Sequence, residues 1–98
     1  MTMTYSAFRE SMAAATPPAH LSPYLQALWF AGNNQWDAAH DLVQDLPDKK
    51  AAHIHAYLHR LEGDDGNAGY WYASAGVKFP GVAVEDEWEQ LVKSCLEV

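Results

Sequence analysis

The sequence has little positive charge. Its 98 residues include six Lys or Arg and 13 Asp or Glu, which gives a formal net charge of −7 with neutral histidines. A nucleic-acid-binding surface needs a stripe of basic side chains to neutralise phosphates, whereas the few basic residues here are scattered along the chain. We therefore expect no nucleic-acid partner, and the negative charge by itself indicates only a solvated acidic surface.

Cysteine pairs and long apolar runs are also absent. Cys95 has no second cysteine to pair with, which fits a reducing compartment, and we interpret it as a buried structural thiol. No apolar run approaches the roughly 18–20 residues of a membrane-spanning helix. The N-terminal stretch has neither the basic start nor the long apolar segment of a signal peptide. We therefore expect a cytoplasmic protein with no membrane partner.

The usual sequence motifs of enzymes do not occur. The chain has no nucleophile elbow, phosphate-binding glycine loop, Cys-x-x-Cys pair or His-Glu-x-x-His run. His40 with Asp37 or Asp41, and His59 with Glu62, are possible acid–base pairs only if they line a pocket that holds a substrate. We name no catalytic residue and favour a binding protein over an enzyme.

The residues that are present favour helices. Ser22-Pro23 is a helix start, an N-cap serine followed by proline, and Gly32, Gly63 and Gly76 stand where helices commonly end. With the i, i+3, i+4 spacing of apolar residues, these signals predict a single all-α domain, 1–98, of five to six antiparallel helices. The predicted helices cover residues 5–14 in an N-terminal arm (1–20), then 23–31, 35–46, 49–62 and 67–75, and, after a connector at 77–84, residues 85–97.

Residues 23–31 leave almost no polar face. A helix that is apolar all round is either sandwiched in the core or part of an interface. Two interpretations therefore stay open, burial within the chain or burial combined with a homodimer contact. The helix predicted over 49–62 instead has one apolar stripe, formed by Ile54, Tyr57, Leu58 and Leu61.

Two segments of the chain match each other. Each consists of a helix, a turn with glycine, and a second helix that opens on a small residue, so that residues 28–40 parallel residues 57–70. The second unit resembles a tetratricopeptide repeat, and the residues that reproduce the second half of that pattern are Gly63-Asp64, Ala68, Tyr72 and Ala75.

The resemblance covers residues 22–76 and implies two helical hairpins, with the helices at 5–14 and 85–97 as caps. The chain departs from the family at His55 and His59, where Leu and an aromatic residue are usual, and its repeat is shorter than the family's roughly 34 residues. The run HAYLHR–EGD–NA–YWY also resembles a small uncharacterised bacterial protein family, which implies no activity.

One flank of the helix over 49–62 is a candidate partner-binding surface. His53, Tyr57 and Arg60 share it at i, i+4, i+7 spacing, and the repeat resemblance implies that this flank faces a peptide-binding groove. Arg60 can pair with a carboxylate, and Tyr57 offers a flat apolar face. Tyr70 is the surface member of the aromatic run Tyr70-Trp71-Tyr72 and is added to this set. The alternative is a solvated edge on which Arg60 pairs with a nearby carboxylate.

The other flank is a candidate metal site. His55, His59 and Glu62 share it, and two histidines one turn apart can chelate a transition metal with a carboxylate as third ligand. A further ligand, His20 or His40, would have to come from elsewhere in the fold. The alternative is that these histidines lie at helix–helix contacts beside Trp71 and Tyr72. We expect no other cofactor.

From the sequence we favour a protein-interaction module or small assembly subunit. Its partner would be another protein or a second copy of the chain, bound through residues 23–31. The alternative is a small metal- or ligand-binding protein, or a hydrolase-like enzyme, that uses His55, His59 and Glu62.

Overall fold

Residues 3–96 are described in this computed structural model, where they form six α-helices and no strand. The all-α expectation of five to six helices is therefore confirmed. The end of the helix predicted over 85–97 and the first two residues of the N-terminal arm lie outside the described residues. The helices are α1 (Tyr5–Ser11), α2 (Pro23–Gly32), α3 (Trp36–Val43), α4 (Lys49–Leu61), α5 (Asp65–Ala75) and α6 (Val84–Leu96).

Side-chain caps set where several helices begin. Ser22 Oγ accepts the Leu25 N–H at 3.2 Å, as expected from the Ser-Pro start. Asp64 caps α5 by accepting the Asn67 N–H at 3.2 Å. This cap explains why α5 begins two residues earlier than predicted.

The end of α3 differs from the prediction. The helix stops at Val43 rather than at Leu46, and a turn follows in which the Leu46 N–H donates to the Val43 carbonyl. Leu46 precedes Pro47, and a residue before proline avoids helical dihedral angles.

Two helical hairpins, α2–α3 and α4–α5, form the body of the molecule. The first hairpin contacts the second through α2 and α3, which both pack on α4. Helix α6 lies against α2 and α4, the first helix of each hairpin, and α1 contacts α6. The Trp88 indole N–H of α6 donates to the Leu28 carbonyl of α2 at 2.9 Å, which anchors α6 in this position.

Helix α2 is the centre of the core. Its residues Ala27, Leu28 and Trp29 are at most 1% exposed, and helices α3, α4 and α6 surround it. Burial within the chain thus accounts for its apolar character. Self-association through residues 23–31 stays a prediction.

Small residues bring α4 and α5 together. Ala56 and Ala68 are fully buried and form a second cluster with Tyr72. Leu61, predicted to share the buried stripe of Ile54 and Leu58, is instead 39% exposed, and it is the last residue of α4. None of the helices described over 3–96 is both long and apolar enough to cross a bilayer.

Two glycines allow a test of helix α5 and its turn. A Cβ at Gly69 would meet nothing within 4 Å, so Gly69→Ala should raise the free energy of unfolding by about 0.5–1 kcal/mol through reduced chain entropy. Gly63 has φ +89°, a conformation that is unfavourable for alanine, so Gly63→Ala should lower the free energy of unfolding by about 1 kcal/mol or more. Urea unfolding measures both, and a destabilised Gly69→Ala variant would contradict the described packing.

Candidate functional site

Three histidines meet where α3 packs on α4. His40 comes from α3, and His55 and His59 come from α4. His40 Nε2 lies 3.0 Å from His55 Nε2, and the His55 and His59 rings stack with centroids 4.9 Å apart. Each residue offers one ring nitrogen, and the three nitrogens lie within 4.8 Å of one another. We call these three residues the histidine cluster.

Two tryptophans hold the rings of the cluster. Trp36 stacks on His40 at a centroid distance of 4.8 Å, and Trp71 of α5 stacks on His55 at 4.0 Å. The Trp36 indole N–H donates to the Leu58 carbonyl at 2.7 Å, which fixes that ring in turn. His55 and His59 are 5% and 7% exposed. The cluster is therefore oriented and largely shielded from water.

Glu62 contacts the ring of His59. Its Oε2 is 2.7 Å from His59 Nδ1, so His59 Nε2 is the nitrogen left for a ligand. Carboxylates commonly hold the far nitrogen of metal-binding histidines, where they fix the tautomer and orient the ring. The sequence predicted Glu62 as a ligand beside His55 and His59. The structure brings His40 beside His55 and places the Glu62 carboxylate against His59 Nδ1, and Glu62 as a direct ligand stays a prediction.

The protonation of His55 suits metal binding. Burial, together with the nearby His40 and His59, lowers the pKa of His55 to about 4. His55 is therefore neutral near pH 7, and the neutral imidazole is the form that binds metal ions.

The position of His40 could not be predicted from the sequence pattern. The pattern indicated His20 and His40 equally as residues that could add a ligand. His20 is exposed in the segment between α1 and α2 and is not part of the cluster. One signal was available, since Trp36 and His40 are one turn apart on α3, which puts an aromatic ring beside the histidine.

A second cluster surrounds the buried Glu87 of α6. Glu87 is 2% exposed and accepts hydrogen bonds from the Tyr72 hydroxyl at 2.7 and 2.8 Å and from Arg60 Nη1 at 2.9 Å. His53 Nε2 lies 3.3 Å from its other oxygen, Oε2. Arg60 also donates to the Val82 carbonyl. We call His53, Arg60, Tyr72 and Glu87 the Glu87 cluster.

The four predicted partner-binding residues do not lie together in the structure. His53 and Arg60 contact Glu87 of α6 and are half-buried, and partner binding through this flank stays a prediction. Tyr57 is 3% exposed, whereas Tyr70 is 67% exposed with its ring against Trp71. The structure therefore brings His53 and Arg60 together and leaves Tyr70 apart from them on α5.

Glu87 itself was not singled out from the sequence, which placed it with Glu85 and Asp86 as a favourable charge at a helix start. The available signal was its position one turn before Leu91, on the buried face of α6. Burial alone would raise the pKa of Glu87, but the hydrogen bonds from His53, Tyr72 and Arg60 outweigh it and hold that pKa below its ordinary value.

Comparisons of the chain with protein-family models, with curated proteins and with solved structures found no match. The resemblance to tetratricopeptide repeats therefore rests on the sequence pattern alone.

Glu87→Gln tests the Glu87 cluster because it keeps the shape of the side chain and removes its charge. Near pH 7 the variant should lose about 2–4 kcal/mol of unfolding free energy, since Arg60 is left without a buried counter-charge. The control Glu85→Gln, at an exposed position, should change it by less than about 0.5 kcal/mol.

The effect of Glu87→Gln should also depend on pH. Because folding lowers the pKa of Glu87, its contribution is fully present above the unfolded value of about 4.5 and is lost as pH falls through the folded value. The gap between wild type and variant should therefore narrow on acidification. Urea unfolding at a series of pH values measures this, and a constant gap would contradict it.

Proposed function

We propose that this protein binds a transition metal ion through His40, His55 and His59. The observation that carries the proposal is the convergence of three ring nitrogens within 4.8 Å of one another from two different helices. Histidine nitrogen is a preferred ligand of zinc and of copper, nickel and iron. Zinc is the first candidate because it commonly takes three histidines in a tetrahedral site.

The spacing of the nitrogens suits such an ion. Zinc–nitrogen bonds of about 2.0–2.1 Å in a tetrahedron place neighbouring nitrogens about 3.3 Å apart. The His40–His55 pair, at 3.0 Å, is already near that value. The widest pair, within 4.8 Å, needs a contraction of at most about 1.5 Å.

Three protein ligands leave a tetrahedral ion one position for water or for an exogenous ligand. The ion would join α3 of the first hairpin to α4 of the second. Since such a site exists only in the folded chain, binding should raise the stability of the whole domain.

Elemental analysis of protein purified without a histidine tag, followed by calorimetric titration with Zn²⁺, tests the proposal. We expect one bound equivalent and a higher melting temperature. Co²⁺ should give the visible absorption of a tetrahedral site, and Cu²⁺ should quench tryptophan fluorescence because Trp36 and Trp71 stack on ligand rings.

The histidine variants identify the site. His40→Ala should abolish saturable binding, whereas His20→Ala, at an exposed position outside the cluster, should bind as wild type does. Less than a tenth of an equivalent of any transition metal in the purified protein, together with no saturable titration, would overturn the proposal.

Glu62→Gln tests whether the Glu62 carboxylate orients the His59 ring for metal binding. The variant should bind one equivalent of Zn²⁺ with an affinity about 10- to 100-fold lower, as is typical when such a partner is lost. Glu10→Gln, an exposed carboxylate on α1, is the matched control. A change of stoichiometry in Glu62→Gln would instead make Glu62 a direct ligand.

A further inference from the structure

A groove of about 910 Å³ runs along the face of the molecule where α1 and α6 meet the ends of α2 and α4. Aromatic side chains from several elements line it, namely Tyr5, Trp36, Tyr57 and Trp88, and the half-exposed Leu61 extends this apolar lining.

The groove is strongly acidic. Glu62, Glu85, Asp86 and Glu89 line it, and Arg9 is the cation among the described residues that do so. Lys93 pairs with Glu89 at 2.7 Å, whereas Glu85 and Asp86 are exposed and have no ion pair within the described part of the chain. An occupant that carries positive charge is therefore favoured.

The aromatic lining already holds cations of this chain. The Arg9 guanidinium lies 5.9 Å from the Trp88 ring centroid, and Lys93 Nζ lies 5.1 Å from that of Tyr5. Both are cation–π distances. The same surface thus has the chemistry to receive arginine or lysine from outside.

We propose that this groove docks a basic segment of a partner protein, in which arginine or lysine side chains alternate with apolar ones. The basic side chains would meet Glu85 and Asp86, and the apolar ones would lie on Leu61 and the half-buried Trp36. A second copy of this chain is a poor occupant because its net charge is −7, and nucleic acid is repelled by the same carboxylates.

Fluorescence anisotropy with two labelled peptides tests the proposal. One peptide alternates arginine with leucine, and the other, of equal length, alternates glutamate with leucine. The protein is used in the presence of EDTA, so that the result is independent of metal binding, although Trp36 and Glu62 also contact the histidine cluster. We expect saturable binding of the arginine–leucine peptide and none of the glutamate–leucine peptide.

Charge-matched variants separate the groove from the general charge of the protein. Glu85→Gln combined with Asp86→Asn should weaken binding about three- to tenfold. Asp41→Asn combined with Asp45→Asn removes the same charge from exposed positions of the first hairpin and should weaken it far less. If both double variants weaken binding of the arginine–leucine peptide equally, the attraction is non-specific and the proposal is overturned.

Leu61→Lys gives a second test. Leu61 is 39% exposed, so a lysine side chain at this position can reach solvent. The variant should weaken binding of the arginine–leucine peptide by at least as much as the groove double variant. In nitrogen–proton spectra the indole signal of the half-buried Trp36 should shift on binding more than those of the buried Trp29 and Trp88. If Leu61→Lys binds the arginine–leucine peptide with wild-type affinity, the proposal is overturned. It is also overturned if the wild-type protein forms concentration-dependent dimers that Leu61→Lys abolishes, because the occupant of the groove would then be a second copy of the chain.

Discussion

The buried carboxylate of Glu87 is the interaction on which the arrangement of the helices depends. A charge taken out of water is unfavourable unless hydrogen bonds and an opposite charge compensate it. Its partners come from both helices of the second hairpin, His53 and Arg60 from α4 and Tyr72 from α5. Helix α6 can satisfy Glu87 in one register only, because a shift by one residue would turn the carboxylate away from all three.

This docking of α6 determines which surfaces remain for binding. Helix α6 packs on α2 and α4, the first helix of each hairpin. Two features remain at the margins of the covered face. The histidine cluster lies where α3 meets α4, and the acidic groove lies where α1 and α6 meet the ends of α2 and α4. Trp36 and Glu62 contact the histidine cluster and also line the groove, so they connect the two proposed sites.

Much of the local structure could be predicted from the sequence, and the misses have identifiable causes. Ser22 and Gly76 mark helix ends in the structure as they do in the sequence, since capping depends on residues close in the chain. The burial of Glu87 could not be predicted in the same way. It depends on partners 15 to 34 residues away, and a glutamate in a first helical turn is most often explained by the helix dipole.

The sequence by itself determined the helices, their approximate limits, and the shared face of His55 and His59. These features depend on residues within one helix, where the period of 3.6 residues per turn sets which side chains share a face. Only the tertiary structure decided that His40 lies beside His55, that Glu62 contacts the His59 ring, and that Glu87 of α6 contacts His53 and Arg60. Those outcomes depend on how separate helices pack, which is set by the summed burial of many side chains rather than by any local spacing.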